Sequence, residues 1–359
     1  FCMSFDTSSS YRTIYIYSKH HMINLKSILP NVSVAALGLL LPLLVSSCSL
    51  MHDDLDECKR ELRIGFKYDM NMKYADAFSS QVKTVTLCAY DESGQLAYKK
   101  KESVANINAA GGYMSFDDIK PGKYTLQVWA EGDDRHADSY NYSTNGNPTS
   151  NIANLDCKIT RTTRLVSHDL TPLYHGLLNE ITISSDGYGV STVTVPLTKN
   201  TNNIKVVIQN ASGKKIAADD FAFAIDDDNS WLAYDNASLK EDSISYSPWS
   251  QYDGTVGTAN NQTQVSAVVA EMTLNRLFAE KHPRLKVYNT SNGKQVFNIP
   301  LVDYALLVKG NYNSGMTDQE YLDRQDDYNF VFFVDDNLNW LSATIYVNSW
   351  RVVLQNAEM

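Results

Sequence analysis

The residues that could carry out chemistry in this chain of 359 residues are scattered, not grouped at the spacings of known catalytic sites. The seven histidines show no His-Glu-x-x-His pair, which would place two zinc ligands on one helix face. Gly-x-Ser-x-Gly, P-loop and dinucleotide-binding motifs are absent from the sequence as well. His175 stands between Tyr174 and Gly176, and we interpret it as a hydrogen-bonded structural residue. The sequence therefore predicts no catalytic residue, no metal site and no cofactor, and we expect no enzyme activity.

Two acidic stretches could ligate calcium through carboxylate oxygens, residues 226–229 and 335–337. Asp226-Asp227-Asp228-Asn229 lacks the glycine and the distal glutamate of an EF-hand loop. We therefore interpret both stretches as turns after strands. The 22 tyrosines could form a surface that stacks on sugars, but tyrosine is also a good strand former.

The most specific signal for chemistry is a lipid-attachment motif that ends at Cys48. An apolar run over residues 28–45 follows Lys26, and Val45-Ser-Ser-Cys48 then resembles a bacterial lipobox. A charged start, an apolar run and small residues before a cleavage site are the order of a secretory signal. We expect residues 1–47 to be an upstream segment and a lipoprotein signal peptide, with Met22 a plausible start. Cys48 would then take up the lipid, and palmitate labelling would detect it.

Three cysteines remain for structural roles if Cys2 is removed and Cys48 is lipidated. They are Cys58, Cys88 and Cys157, so at most one intrachain pair can form. Disulfides persist in extracytoplasmic compartments. Cys58 with Cys157 is the pairing that we favour, since Cys88 sits inside a strand pattern.

The charge of the chain excludes some partners. The formal net charge is −10, and the lysines and arginines are not clustered. A nucleic-acid partner would need a basic face, and electrostatic attachment to a membrane would need one too. We therefore expect no nucleic-acid partner, and membrane attachment through the N-terminal lipid alone. We expect no small-molecule substrate either, because the sequence carries no catalytic motif.

The apolar pattern predicts an all-β protein. Leu62, Ile64, Phe66 and Tyr68 alternate with other residues, which is typical of a half-buried strand. Pro121-Gly122 predicts a turn between two strands of a hairpin. The stretch 172–176 interrupts the strand pattern, and residues 199–203 look like a junction. Thr317-Asp-Gln-Glu320 predicts one short helix that runs through Arg324.

The repeated strand signals divide the chain into segments. We predict a tether over residues 48–60, an N-terminal β-sandwich over 61–198 and a C-terminal β-sandwich over 199–359. Short strands in series with little helix are typical of such sandwiches.

Motifs spread over nearly the whole chain after Cys48 resemble those of the FimB-type fimbrial anchor lipoproteins of Bacteroides-like bacteria. They are Phe66-Lys-Tyr-Asp-Met-Asn71, Ala75-Asp-Ala-Phe78, Asp118-Ile-Lys-Pro-Gly-Lys-Tyr-Thr-Leu126, Leu173-Tyr-His-Gly176, Leu197-Thr-Lys-Asn-Thr-Asn202, Ile299-Pro-Leu-Val-Asp-Tyr304, Met316-Thr-Asp-Gln-Glu-Tyr-Leu-Asp-Arg324, Phe332-Phe-Val-Asp-Asp336 and Ile345-Tyr-Val-Asn-Ser-Trp-Arg351. Cys88 and Asn348-Ser349 depart from the pattern.

The resemblance implies two transthyretin-like sandwiches in tandem, in a lipoprotein of the outer membrane that faces the cell surface. It implies that the protein holds a fimbria at its base and stops polymerisation, with a shaft subunit as partner. Shaft subunits of this kind are thought to lose their first strand, which opens a groove for a neighbour's strand. We expect this chain to keep its first strand. Trp350, Val352 and Leu354 are a possible strand-exchange segment, which could equally complete its own domain.

Two other functions stay open at this point. The first is a surface lipoprotein that binds glycans through exposed tyrosine and tryptophan side chains. The second is a hydrolase whose site the sequence does not reveal.

Overall fold

The computed structural model describes residues 60–352, apart from residues 134, 135, 137, 143–150, 186–188, 241, 242, 257–264, 311, 312, 343 and 344. The strands up to residue 199 are β1 (Arg60–Met70), β2 (Thr84–Asp91), β3 (Leu96–Ser103), β4 (Met114–Asp117), β5 (Gly122–Glu131), β6 (Tyr140–Tyr142), β7 (Cys157–Ile159), β8 (Leu165–Val166), β9 (Leu173–Ile183) and β10 (Gly189–Lys199).

The strands that follow are β11 (Thr201–Asn210), β12 (Phe221–Asp227), β13 (Trp231–Leu232), β14 (Ile244–Tyr246), β15 (Ser250–Val256), β16 (Val265–Asn275), β17 (Arg284–Asn289), β18 (Gln295–Pro300), β19 (Asp327–Val334), β20 (Ile345–Val347) and β21 (Trp350–Val352). The described helices are α1 (Phe78–Gln81), α2 (Val104–Ala109), α3 (Leu301–Leu306) and α4 (Asp318–Arg324), with 3₁₀ turns at Ile152–Asn154 and Ala218–Asp220. The protein is therefore mostly β, as the sequence predicted.

The first half of the chain forms a seven-stranded sheet in the order β3-β2-β5-β9-β10-β1-β4. Its two edge strands touch, because the ring of Tyr98 on β3 lies 5.3 Å from the ring of Phe116 on β4. A sheet whose opposite edges meet is folded over on itself. One shared core, which includes Leu62 and Ile64 of β1 and Leu87 of β2, fills the space between its layers.

The second half places two sheets face to face. One has the order β15-β16-β11-β19-β20-β21, and the other has the order β18-β17-β12-β14-β8. Their inner faces pack into one core, where the rings of Phe297 on β18 and Phe332 on β19 lie 4.3 Å apart. Alternate side chains of β19 point into this core, as in a sandwich of two sheets.

The segment 140–166 joins the two halves. Its strand β8 pairs in parallel with β14, and its strand β7 lies between β6 and β13. The chain passes from the seven-stranded sheet to the six-stranded sheet at Asn200, between β10 and β11. The β8–β14 and β7–β13 pairs nevertheless join strands that lie on opposite sides of Asn200 in the sequence. Each half therefore contributes residues to the packing of the other.

The predicted helix at Thr317 is confirmed, since the Thr317 side chain accepts a hydrogen bond from the Glu320 backbone N–H, and α4 ends at Arg324. Three further short helices lie elsewhere in the described part of the chain, which the sequence had not indicated. The predicted hairpin around Pro121-Gly122 is wrong. The strand before the turn, β4, pairs with β1, whereas β5 pairs with β2 and β9.

The expected interruption at residues 172–176 is also wrong, because Leu173–Gly176 opens the long strand β9. Gly176 permits β9 to approach β10 closely. A Cβ atom there would lie 2.7 Å from side-chain atoms of Val195 and Leu197. Gly176 therefore allows β9 and β10 to pack closely, and it does not end the strand.

Candidate functional site: the first strand and its junctions

Strand β1 lies inside the seven-stranded sheet and not at its edge. It runs parallel to β10, from Arg60 opposite Gly189 to Lys67 opposite Pro196. It also pairs antiparallel with β4 over residues 61–64. The first half of β1 is thus paired on both sides, and its removal would expose the edges of both neighbours.

The alternating side chains of β1 fill the core of the folded sheet, as the sequence predicted. Leu62 and Ile64 are 0% exposed, and Phe66 and Tyr68 are nearly as buried. The Phe66 ring stacks on Phe78 of α1 at 5.4 Å, which fixes the short helix against the strand. Each such side chain contributes about 1.5–3 kcal/mol when fully buried.

The turn that follows β1 is held by side-chain hydrogen bonds. The Asp76 carboxylate accepts from the backbone N–H groups of Tyr68 and Phe78, both at 3.0 Å. The Asn71 amide donates to the carbonyls of Tyr68 at 3.1 Å and Ala75 at 2.8 Å. These bonds satisfy backbone groups where the ladder with β10 becomes irregular.

Arg324 connects the end of β1 to the second half of the chain. Its guanidinium donates to the carbonyl of Asp69 at 3.0 Å and to the Glu320 carboxylate at 2.9 Å. It also lies over the ring of Tyr74, 4.5 Å from the ring centre. One side chain of α4 therefore bonds the C-terminal end of β1, and Lys199 and Asp326 form an ion pair between the two halves.

A buried polar junction lies where β10 passes into β11. The side-chain amides of Asn200 and Asn236 bond each other reciprocally, at 2.7 and 3.0 Å. His175 of β9 contributes a third contact, because its Nε2 lies 2.7 Å from the carbonyl oxygen of Tyr234. Burial lowers the pKa of His175 to about 4, so the ring is neutral at neutral pH and donates through Nε2–H. These are the contacts of a structural histidine.

The candidate calcium ligands are engaged in other contacts. Asp226 pairs with Lys286 at 2.7 Å, and Asp228 pairs with Lys281 at 2.6 Å. Burial raises the pKa of Asp227 to about 7. Across the described ranges, no three His, Cys, Asp or Glu side chains are grouped so that they could hold a metal ion.

The second acidic stretch closes a turn. The Asp335 carboxylate accepts from the backbone N–H groups of Asn337 and Asn339, both at 2.8 Å. These bonds lower the pKa of Asp335, with the hydrogen bonds from Asn339 as the largest cause.

Several predicted site residues lie outside the described residues, namely Cys48, Cys58 and Leu354. Cys157 is a buried free thiol in the part of the chain that is described. Trp350 and Val352 belong to β21, which pairs with β20 at the edge of its sheet. Lipidation, the disulfide and strand exchange thus stay predictions.

Sequence reasoning missed Arg324 and the Asn200–Asn236 pair as junction residues. Their partners are distant in the chain, so no local spacing indicates them.

None of the helices in the described part of the chain is long and apolar enough to cross a membrane.

Comparison with known proteins decides the family. A family model described as fimbrillin-A associated anchor proteins Mfa1 and Mfa2 matches residues 55–356. The chain belongs to this family. The match confirms the resemblance to fimbrial anchor proteins that the motifs suggested. The family is one of fimbrial anchors, and proteins of this kind are associated with the cell surface and with fimbrial subunits.

Solved structures share the fold over most of the chain. A candidate adhesin from Bacteroides thetaiotaomicron is 31% identical, with a TM-score of 0.75 over 84% of this chain and 100% of its own. Candidate polysaccharide-binding proteins from the same species are 27% identical, with a TM-score of 0.70 over 83% and 99%.

The fimbrial anchor protein Mfa2 from Porphyromonas gingivalis is 17% identical, with a TM-score of 0.64 over 82% of this chain and 99% of its own. At this identity the likeness shows the fold alone. A comparison with curated proteins gave no match.

Proposed function

We propose that this family member is lipidated at Cys48, holds a fimbria at its base on the outer membrane and terminates its polymerisation. The observation that carries the proposal is the position of β1 inside its own sheet, paired with β10 along most of its length and with β4 over residues 61–64. A shaft subunit of the kind that the resemblance implies loses this strand, and with it any lipid attached before it. Here Leu62 and Ile64 are 0% exposed, which opposes such a loss.

An intact β1 also accounts for termination. Strand addition requires an unpaired sheet edge, and β1 already occupies the place between β10 and β4. No shaft subunit can then insert a strand below this one, and growth stops. We place the contact with the shaft in the second half of the chain. There β21 is an edge strand that could receive or donate a strand, with Trp350, Val352 and Leu354 as the exchange segment.

The strand arrangement suits a protein that carries a pulling force. The lipid would pull on the N-terminal end of β1, and a shaft bound to the second half would pull on the C-terminal end of β10. Because β1 and β10 are parallel, these pulls load the pair in shear. Hydrogen bonds of a parallel pair are evenly spaced, so they share the force and do not open one at a time.

We further propose that residues 48–60 are a tether and that residues 61–198 and 199–359 are transthyretin-like sandwiches in tandem. The change of large sheets at Asn200 supports this division. The pairings of β8 with β14 and of β7 with β13 would then be contacts between domains.

A two-part experiment tests the anchoring role. Cys48→Ala should release the protein from the membrane fraction and abolish palmitate labelling, whereas Cys88→Ala, a matched control, should change neither. Deletion of the gene should leave fimbriae longer or shed into the medium. Palmitate labelling that survives Cys48→Ala, or fimbriae of unchanged length and attachment in the deletion strain, would count against the proposal.

Glycan binding is a second candidate function, favoured by one surface groove. The groove has a volume of about 540 Å³ on the outer face of β11, β16 and β19. Trp249, which is 42% exposed, lines it together with polar side chains that include Asn203 and Asn329. Trp249→Ala should abolish binding on a glycan array if this groove binds sugars, and an array that gives no signal with the unaltered protein would exclude this function.

A further inference from the structure

A second cavity, of about 350 Å³, lies on the face of the seven-stranded sheet that points away from its core. Strands β3, β2 and β5 form its floor, and their register sets the side chains in two rows. The rows are Lys99–Cys88–Gln127 and Lys101–Thr86–Trp129. Tyr140, Asn141 and Tyr142 of β6, with Leu155, line the remaining walls.

Two buried side chains that line this cavity have polar atoms without hydrogen-bond partners. Gln127 is 0% exposed, and neither its amide oxygen nor its amide nitrogen is bonded. Trp129 is 3% exposed, and its indole Nε1–H is unbonded as well. Buried polar groups in native proteins nearly always have partners, so two such side chains in one cavity indicate a ligand site. They stand two residues apart on one face of β5, about 7 Å along the strand.

Both charged side chains among the described residues that line this cavity are lysines, although the whole chain is acidic and the hydroxyl of the lining Tyr142 donates a hydrogen bond to the Glu131 carboxylate. Lys99 and Lys101 stand at its open side, and no acidic side chain is among the described residues that line it. Burial raises the pKa of the Cys88 thiol, and the positive charge of Lys99 opposes that rise. The charge of Lys99 therefore acts on a side chain in the floor of the cavity. Ammonium, amide and indole N–H groups are all donors, and a carboxylate is an acceptor that matches them.

We propose that this cavity binds a small organic carboxylate. The carboxylate lies between the two lysines and the N–H groups of Gln127 and Trp129, and the rest of the ligand packs against Tyr140 and Tyr142. The volume is at the lower end of that of ligand pockets, which suits one sugar ring or one amino-acid residue. The sources that fit are a uronic acid and the C-terminal residue of a peptide. The site does not depend on the proposed anchoring role.

The test follows the indole N–H resonance of Trp129 by ¹H–¹⁵N NMR, assigned through its loss in Trp129→Phe. Probes are D-galacturonate and N-acetyl-alanine, with D-galactose and N-acetyl-alanine amide as uncharged controls. We expect a saturable shift with at least one acid and none with its control. A shift with galacturonate alone identifies the uronic source, and a shift with N-acetyl-alanine alone identifies the peptide source. No saturable shift with either acid up to about 10 mM, a range that detects millimolar affinity, overturns the proposal, as does an equal shift with the uncharged control.

Variants locate the site. The double change of Lys99→Gln and Lys101→Gln should raise Kd at least tenfold, whereas Lys100→Gln should leave it unchanged. Lys100 is the matched control, because it lies on the same strand opposite Leu87 of the core face. Gln127→Leu should abolish binding while the protein unfolds at the same or a higher temperature, since a buried amide without partners is removed. A Kd that is insensitive to the double change would overturn the assignment.

Discussion

Replacement of Ile64 by alanine tests whether β1 is an integral part of the fold. Ile64 is 0% exposed and stands opposite Val193 of β10 and Met114 of β4. Removal of a buried isoleucine side chain beyond Cβ costs about 2–5 kcal/mol of stability. This cost is the sum of the transfer free energy of the lost atoms and the free energy of the cavity that they leave. Domains are stable by about 5–15 kcal/mol in total, so this change should remove a large part of the stability of the first half.

Urea unfolding followed by circular dichroism measures the effect. With an m-value of about 2 kcal/mol/M, a loss of about 3 kcal/mol lowers the midpoint by roughly 1.5 M. Val190→Ala is the matched control on the neighbouring strand, because Val190 is 52% exposed, and it should cost less than about 1 kcal/mol. Equal midpoints for Ile64→Ala and Val190→Ala would refute the conclusion that the fold depends on β1.

Three further predictions concern the junctions of β1 and of β9. Arg324→Ala should lower the free energy of unfolding by about 1–3 kcal/mol in the same urea assay, because the half-buried carbonyls of Asp69 and Asn71 lose a charged donor. Arg324→Lys should recover only part of this loss. An Arg324→Ala variant as stable as the unaltered protein would contradict the role of Arg324 as a junction residue. The pKa of His175 falls to about 4 on folding, so the folded state binds fewer protons than the unfolded state between about pH 4 and 6.5. Stability therefore declines as pH falls through that window. His175→Gln should reduce this decline by up to about 3 kcal/mol, and identical profiles of stability against pH for the two proteins would refute the lowered pKa. In single-molecule pulling between the N-terminus and a second handle, unfolding should require more force with the second handle at Lys214 than with it at Val190. Only the handle at Lys214 loads β1 and β10 in shear. Equal unfolding forces would exclude the shear arrangement.

The sequence predicted well those features that depend on local pattern. The alternation in β1 set which side chains are buried, and the Thr317 cap predicted α4, because both arise from neighbouring residues. It failed where contacts between distant segments decide the structure. The stretch 172–176 was predicted to interrupt the strand pattern, yet its Gly176 permits β9 to lie against Val195 and Leu197.

The candidate site was only partly accessible from the sequence, for the same reason. The importance of β1 followed from its apolar face, but its tie to Arg324 joins residues that are 255 positions apart. The crossing pairs β8–β14 and β7–β13 likewise link short strands of weak local pattern across the middle of the chain. The proposed function follows from the family resemblance, since no arrangement of side chains predicts an anchor.

The mature N-terminus of the protein that co-purifies with fimbriae tests the central claim most directly. Mass spectrometry of that protein should find a lipid-modified Cys48 at its N-terminus, followed by an intact β1 that includes Arg63 and Lys67. An N-terminus beyond Tyr68 would mean that β1 is removed in the assembled fimbria, and the proposed role as a terminating anchor would be wrong.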